Sequence, residues 1–222
     1  MNVQEQLANA QRIGIWGMGT TGTAALRFFS WLNMQGRCAA TLVVWDDKPL
    51  TSDALALVRA HHGQLGTDCF SGVQEFLNHC DLIVVSPGID IRLHTAFFHK
   101  FCSEPDLFAY AWHRPIIAIT GTVGKTSTTA LIAHTFSELS PTKIALGGNI
   151  GTGMLTLPLD CADADSAVLE LSSFQLEYAH TFRPKIAIWT NLSANHLDRH
   201  ETLDAYVAAK LRMFQNQCPG DV

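Results

Sequence analysis

The residues with the clearest chemical purpose run from Ile116 to Thr129, IIAITGTVGKTSTT. Here an apolar stretch breaks into a glycine turn followed by Lys125 and two hydroxyl residues. Gly121 and Gly124 let the chain turn tightly enough for successive N–H groups to converge on an anion, Lys125 can reach terminal phosphates, and Thr126 can ligate Mg²⁺. The residues that would cradle a nucleotide are Gly121, Thr122, Gly124, Lys125, Thr126 and Ser127. The spacing departs from a strict Walker A, because Ile119 stands where that motif has its first glycine.

More polar chemistry gathers downstream. Glu170 closes the apolar run Ala167-Val168-Leu169 and precedes Ser172 and Ser173, while Asn191, Asn195, His196 and Asp198 follow Ile186-Ala187-Ile188-Trp189-Thr190. A carboxylate and an imidazole at neighbouring strand ends beside a phosphate loop suit an Mg²⁺ held partly by nucleotide phosphates. An acidic residue ending a buried strand is costly unless paired or metal-bound, which singles out Glu170. A histidine after a strand is more often a turn or capping residue than a ligand, so His196 carries both readings.

A second glycine turn, Gly17-Met18-Gly19-Thr20-Thr21-Gly22, separates the run Ile13-Gly14-Ile15-Trp16 from the apolar face Ala25, Leu26, Phe29 and Leu32. This is a strand, turn and helix. The next strand, Thr41 to Trp45, ends in Asp46-Asp47, where a dinucleotide fold places an acidic residue beside a ribose. A third, Asp81 to Val85, ends at Ser86-Pro87-Gly88, which reads equally as a ligand loop or an ordinary turn. Ligands of open α/β sheets bind beyond the carboxyl ends of strands, so the turns at Gly17, Asp46 and Ser86 are expected to converge.

The elements positioning these residues alternate between strand-like apolar runs and helical segments at 52–61, 73–79, 125–139 and 205–214. A further short strand is expected at 143–146, followed by the turn 147–151. The fold class is therefore α/β: a Rossmann-like parallel-sheet domain over 1–113, then a P-loop ATPase-type α/β domain from 114 to 222, with 107–114 joining them. A length of 222 residues, 47% of them hydrophobic, supplies enough apolar material for substantial cores. A net charge of −5 argues against a nucleic-acid surface, so an anionic ligand must be held by local loops. No long uncharged apolar stretch or secretory leader is present, and six scattered cysteines form no CxxC pair; a cytoplasmic protein with reduced thiols and no membrane partner is expected.

The segments GTVGKTSTT, GGNIG, LELSSFQLE, NLSANHLDRH and YVAAKLRMF, with GMGTTG, VVSPGID and DLFAYAW before them, resemble the Mur ligases of peptidoglycan synthesis over nearly the whole chain. The resemblance implies an ATP-dependent amide-bond ligase, and within the family it points to the branch that adds D-glutamate to UDP-N-acetylmuramoyl-L-alanine through an acyl-phosphate. It implies that Lys125 offsets charge on ATP, that Thr126 and Glu170 help bind Mg²⁺, and that His196 ligates a second Mg²⁺. A lysine in an exposed helix is ordinarily a solvated charge, yet the resemblance makes Lys210 a carbamylated support for that second metal. It also implies a cradle for the UDP-sugar: Met18, Thr20 and Thr21 at the diphosphate, Asp46 and Asp47 near the uracil or ribose, and Ser86 and Gly88 alongside. From the second domain Asn149, Ser172, Gln175 and His196 would meet the substrate, in a cleft between domains.

Two positions depart from the family pattern: Val123 stands where a polar residue is usual, and Asn195 stands where an aspartate usually precedes the histidine. Mur ligases also continue past this length, completing the ATP domain and adding a C-terminal domain that meets the amino acid, so the chain alone, a first domain and a truncated ATP domain, is expected to be inactive. Its unfinished sheet is expected to favour self-association. Two other readings stand beside the ligase. One is a nicotinamide- or flavin-binding Rossmann protein, which Gly17, Gly19, Gly22 and Asp46 permit but which gives Lys125 and Glu170 no role. The other is a non-catalytic remnant that binds a UDP-sugar or a protein partner.

Overall fold

In the computed structural model, which describes residues 3–222, the chain divides into two compact units, the first ending at Glu104 and the second running from Pro105 to Val222. The first opens with helix α1 (Val3–Asn9) and strand β1 (Arg12–Trp16), then α2 (Thr20–Met34), β2 (Thr41–Trp45), α3 (Ser52–Ala60), β3 (Gln64–Leu65), α4 (Gly66–Cys69), α5 (Val73–His79) and β4 (Leu82–Val85). A 3₁₀ segment, Arg92–Lys100, leads to the short β5 (Phe101–Cys102). The strands lie parallel in the order β3-β2-β1-β4-β5. Parallel neighbours cannot be joined by a tight hairpin, so helices cross between them and cover both faces; hence the near-continuous burial of Ile13, Ile15, Val43, Val44, Leu82 and Ile83.

Helix α6 (Glu104–Ala111) leads into the second unit, followed by β6 (Ile116–Thr120), α7 (Lys125–Leu139), β7 (Ile144–Gly148), α8 (Leu157–Asp160), β8 (Ser166–Glu170), α9 (Ser173–Leu176), β9 (Ile186–Trp189), α10 (Leu197–His200) and α11 (Leu203–Leu211). Its four parallel strands run in the order β7-β8-β6-β9. All five residues of β6 are buried. Around the buried Ile117, Ile119 and Val168, the side chains of Ile132, Phe136, Ile144, Ile186 and Ile188 are only partly covered.

Two segments differ from the sequence reading. Residues 107–111, read as part of a connection, are helical, and the division between units falls ahead of His113. The reason is Asp106, which is 3% exposed. Its Oδ1 accepts from the N–H groups of Thr181 (2.8 Å) and Phe182 (2.7 Å), and its Oδ2 accepts from His180 N–H at 2.9 Å, so the helix is tied to the second unit. Strand β7 also extends through Gly147 and Gly148, which pair with Leu169 and Glu170 instead of starting a turn. Gly148 has φ 103°, and a Cβ there would collide with the Glu170 carbonyl, so only glycine allows the ladder to reach that residue.

Replacing Asp106 by alanine would leave three backbone donors without their buried acceptor. The expected loss is on the order of 3 kcal/mol, read as a shift of the urea unfolding midpoint to lower concentration.

Candidate functional site

At the end of β6 the chain turns through Gly121 (φ 145°) and Gly124 (φ 80°), conformations that suit glycine. Gly124 is the N-cap of α7 and no side chain caps that helix, so the N–H groups of its first turn are left for an anion. Lys125 folds back on this loop and donates from Nζ to the Thr122 carbonyl at 3.0 Å. The Thr122 hydroxyl is engaged with Ser193, whose N–H donates to it at 3.0 Å, and lies 3.2 Å from the Tyr206 hydroxyl.

Behind the loop, Glu170 is 2% exposed at the end of β8. Its Oε2 accepts from the Thr126 hydroxyl at 2.7 Å and its Oε1 from Asn149 Nδ2 at 2.7 Å. Two neutral donors thus hold a buried carboxylate whose negative charge no cation neutralises through these bonds. A hydroxyl and a carboxylate oxygen side by side suit Mg²⁺, a hard cation that keeps several waters and binds through one or two protein oxygens and substrate phosphates. Among the described residues no three His, Cys, Asp or Glu side chains form a metal cage, so a cation here would draw most of its shell from water or ligand.

Lys210 is not a solvated helix residue: it is 1% exposed, and its Nζ donates to the Gly121 carbonyl at 2.8 Å and to the Thr120 hydroxyl at 3.3 Å. The ammonium also sits 4.6 Å from the centre of the Tyr206 ring. Burial, followed by the nearby Lys125 charge, pushes its pKa down to about 8. His196 is exposed, adopts φ 54°, and packs its ring 4.9 Å from Phe174; the Thr126–Glu170 pair forms without it. Ser172 and Gln175 form a capping box at the start of α9, with Gln175 N–H donating to Ser172 Oγ at 3.2 Å and Ser172 N–H to Gln175 Oε1 at 3.1 Å.

In the first unit the turns at Gly17, Asp46 and Ser86 do converge. Ser86 Oγ donates to the Gly17 carbonyl at 2.9 Å, and the Asp46 carboxylate accepts from Met18 N–H (2.8 Å) and Lys48 N–H (3.0 Å). Asp47 accepts from two indoles, Trp45 Nε1 at 3.0 Å and Trp16 Nε1 at 3.4 Å. The Thr21 hydroxyl donates to Glu104 at 3.3 Å, which leaves the uncapped N–H groups at the start of α2, near Thr20, as the anion-facing donors. Gly88 is exposed with open space around it. Beside Asp46 and Asp47 a cavity of about 370 Å³ is walled by Val44, Leu50, Leu55 and Leu65, a size and an apolar lining that suit a flat ring.

Sequence reasoning missed His200 and Tyr206. His200 is buried, its Nε2 lies 2.9 Å from Ser173 Oγ, and its ring stacks on Phe174 at 5.3 Å. Burial is the main cause lowering its pKa; the Glu177 carboxylate opposes that shift and the Arg199 charge adds to it. Both residues were detectable by helical spacing, one turn from His196 and from Lys210 respectively.

Residues 119–222 match the profile of the Mur ligase middle domain. Sequence similarity extends further: the chain is 37% identical over 218 residues to the UDP-N-acetylmuramoylalanine--D-glutamate ligase of Oleidesulfovibrio alaskensis, covering 93% of this chain and 46% of that protein. The chain belongs to the Mur ligase family. The enzyme of the same name from Desulfotalea psychrophila is 40% identical over 215 residues, covering 94% of this chain and 45% of that protein. This member of the Mur ligase family thus spans about half the length of the curated relatives it matches. A crystal structure of MurF from Acinetobacter baumannii aligns with 82% of this chain and 39% of its own at 19% identity and a TM-score of 0.44, a likeness that bears on neither activity nor substrate.

The Lys210 environment has a measurable pH signature. A lysine whose pKa falls on folding weakens the folded state fully at pH values below about 8, and that penalty is relieved as pH rises from there towards the unfolded value of 10.5. Wild type should therefore gain stability relative to Lys210→Met between pH 8 and 10 in chemical denaturation. A difference that stays constant over that range would show that the amine is not perturbed.

Proposed function

We propose that this chain forms the nucleotide-sugar and phosphate-loop portion of an ATP-dependent ligase that joins D-glutamate to UDP-N-acetylmuramoyl-L-alanine in peptidoglycan precursor synthesis. The observation that carries this reading is the 2.7 Å bond from Thr126 to the buried Glu170 directly behind a lysine-bearing glycine loop. The substrate in this reading is carried over from the D-glutamate ligases to which the chain is 37% and 40% identical.

The chemical problem is charge. A carboxylate that must attack a triphosphate is repelled by it, and the repulsion grows as water is excluded. Lys125 would leave the Thr122 carbonyl to meet the terminal phosphates, while the N–H groups at the start of α7, from Gly124 to Ser127, would take their oxygens. Thr126 and Glu170 would hold Mg²⁺, which when bound neutralises phosphate charge and polarises the transferring group. Once the substrate carboxylate is activated as an acyl-phosphate, the amine of D-glutamate displaces phosphate to form the amide.

Lys210 and His196 belong to the second-metal reading. Only a neutral amine takes up CO₂, and the lowered pKa of Lys210 leaves an appreciable neutral fraction near pH 8. A carbamate there would replace the cation that now faces Gly121 with an anion. In the first unit the nucleoside ring would enter the cavity beside Asp46 and Asp47, with the diphosphate on the N–H groups of Thr20 and Thr21 and with Met18, Ser86 and Gly88 alongside. Asn149, Ser172 and Gln175 would border the substrate. A cytoplasmic setting and the absence of a nucleic-acid partner belong to the same reading.

Calorimetry checks the reading. UDP-N-acetylmuramoyl-L-alanine and, separately, a non-hydrolysable ATP analogue with Mg²⁺ should each bind the wild-type chain. Lys125→Ala should weaken the nucleotide by at least tenfold and leave the UDP-sugar unchanged, whereas Asp46→Ala should do the reverse. Tight NADH binding with no response to either expected ligand would overturn the ligase reading.

A further inference from the structure

Asn191, just beyond β9, is an exposed residue whose side-chain oxygen and nitrogen are nonetheless both engaged. Its Oδ1 accepts from Val123 N–H at 3.1 Å and its Nδ2 donates to the Val123 carbonyl at 2.9 Å, so one amide grips both polar groups of the residue at the tip of the phosphate loop. The neighbouring bonds follow the same path: Thr190 Oγ1 donates to the Val123 carbonyl at 2.8 Å, and Thr122 N–H donates to the Asn191 carbonyl at 3.1 Å. The two segments run so close that a Cβ on Gly121 would collide with the Thr190 hydroxyl. Val123 itself contributes nothing from its side chain, which is 63% exposed.

We propose that Asn191 is a positioning residue that sets the phosphate loop for nucleotide binding. The inference rests on the nucleotide reading above and assigns a division of labour within the loop. The N–H groups of Thr122 and Val123 are bonded to residue 191, which leaves the N–H groups from Gly124 onward as the donors an anion would meet without displacing a partner. By holding both the N–H and the carbonyl of Val123, the amide fixes the chain where Gly124 takes its left-handed turn and starts α7. A loop free at Val123 would sample other turns, and ordering it would then weigh against ligand affinity. The Asn191 clamp supplies to the loop tip the hydrogen bonds that the valine side chain cannot make.

The test uses Asn191→Ala and Asn191→Asp in the full chain. Aspartate keeps the acceptor for Val123 N–H but replaces the donor with an oxygen facing the Val123 carbonyl, so it should fail as alanine does. Each variant should lose about tenfold in Mg·ATP affinity, the scale of one or two lost hydrogen bonds, while UDP-sugar affinity is unchanged. In amide NMR spectra, the Gly124, Lys125 and Thr126 resonances should shift on adding Mg·ATP to wild type and should move much less in both variants. In Asn191→Ala, which also removes the acceptor, Val123 N–H should lose its protection from exchange even without ligand. Resonances of β8 should stay in place, which a general loss of structure would not allow.

Unchanged affinity in both variants, with wild type and Lys125→Ala behaving as expected, overturns the positioning role and leaves the nucleotide reading intact. Wild type that fails to bind Mg·ATP at millimolar concentration overturns the nucleotide reading and the inference with it.

Discussion

Glu170 sets the terms for the second unit. A carboxylate that is 2% exposed at a strand end is unstable unless its oxygens are satisfied, and both partners here follow glycine-rich segments. Asn149 follows Gly147-Gly148, and Thr126 follows Gly121 and Gly124. At Gly148 the backbone lies against the Glu170 carbonyl, an approach that only glycine permits. The carboxylate that a cation would need is thus the one that holds the Asn149 side chain just beyond β7, so structure and chemistry draw on one group.

Charge around the phosphate loop follows from that arrangement. Lys125 and Lys210 both reach its backbone, through the carbonyls of Thr122 and Gly121, and neither forms an ion pair through those bonds. Two ammonium groups on one loop repel each other, and the Lys125 charge adds to the burial that lowers the Lys210 pKa. The loop therefore concentrates positive potential in a chain whose net charge is −5, which is what local rather than global anion attraction requires.

Much of this was legible in the sequence. The alternation of apolar runs and amphipathic segments marked β1, β2, β4, β6, β8, β9, α3, α5 and α7, because parallel strands buried on both faces leave long hydrophobic runs. Lys125, Thr126 and Glu170 were legible from residue type at strand ends. What escaped was tertiary in origin. Helix α6 depends on Asp106 reaching residues 180–182, a contact with no local pattern, and the pair at Gly147 and Gly148 looks like a turn until the partner strand is known. Ser172 and Gln175 were marked for substrate, yet their spacing is also that of a capping box, and their side chains form one. His200 and Tyr206 were overlooked because a histidine or tyrosine on a short helix is unremarkable until its neighbours appear.

Both glycine loops hold internal partners where a ligand would bind, and this bears on affinity. Met18 N–H is bonded to Asp46, the Thr21 hydroxyl to Glu104, and Lys125 to Thr122. An incoming phosphate therefore exchanges hydrogen bonds instead of adding them, and the net gain per contact falls to the small difference between partners. The exchange favours phosphate most where the existing acceptor is a neutral carbonyl, as for Lys125, and least where it is already a carboxylate, as for Met18. Anion binding in the first unit must then rely on the uncapped N–H groups at the start of α2, where no side chain competes. The acidic side chains at Asp46 and Glu104 shape that loop through these bonds, and so would act on an anion there by holding in place the backbone that carries its donors.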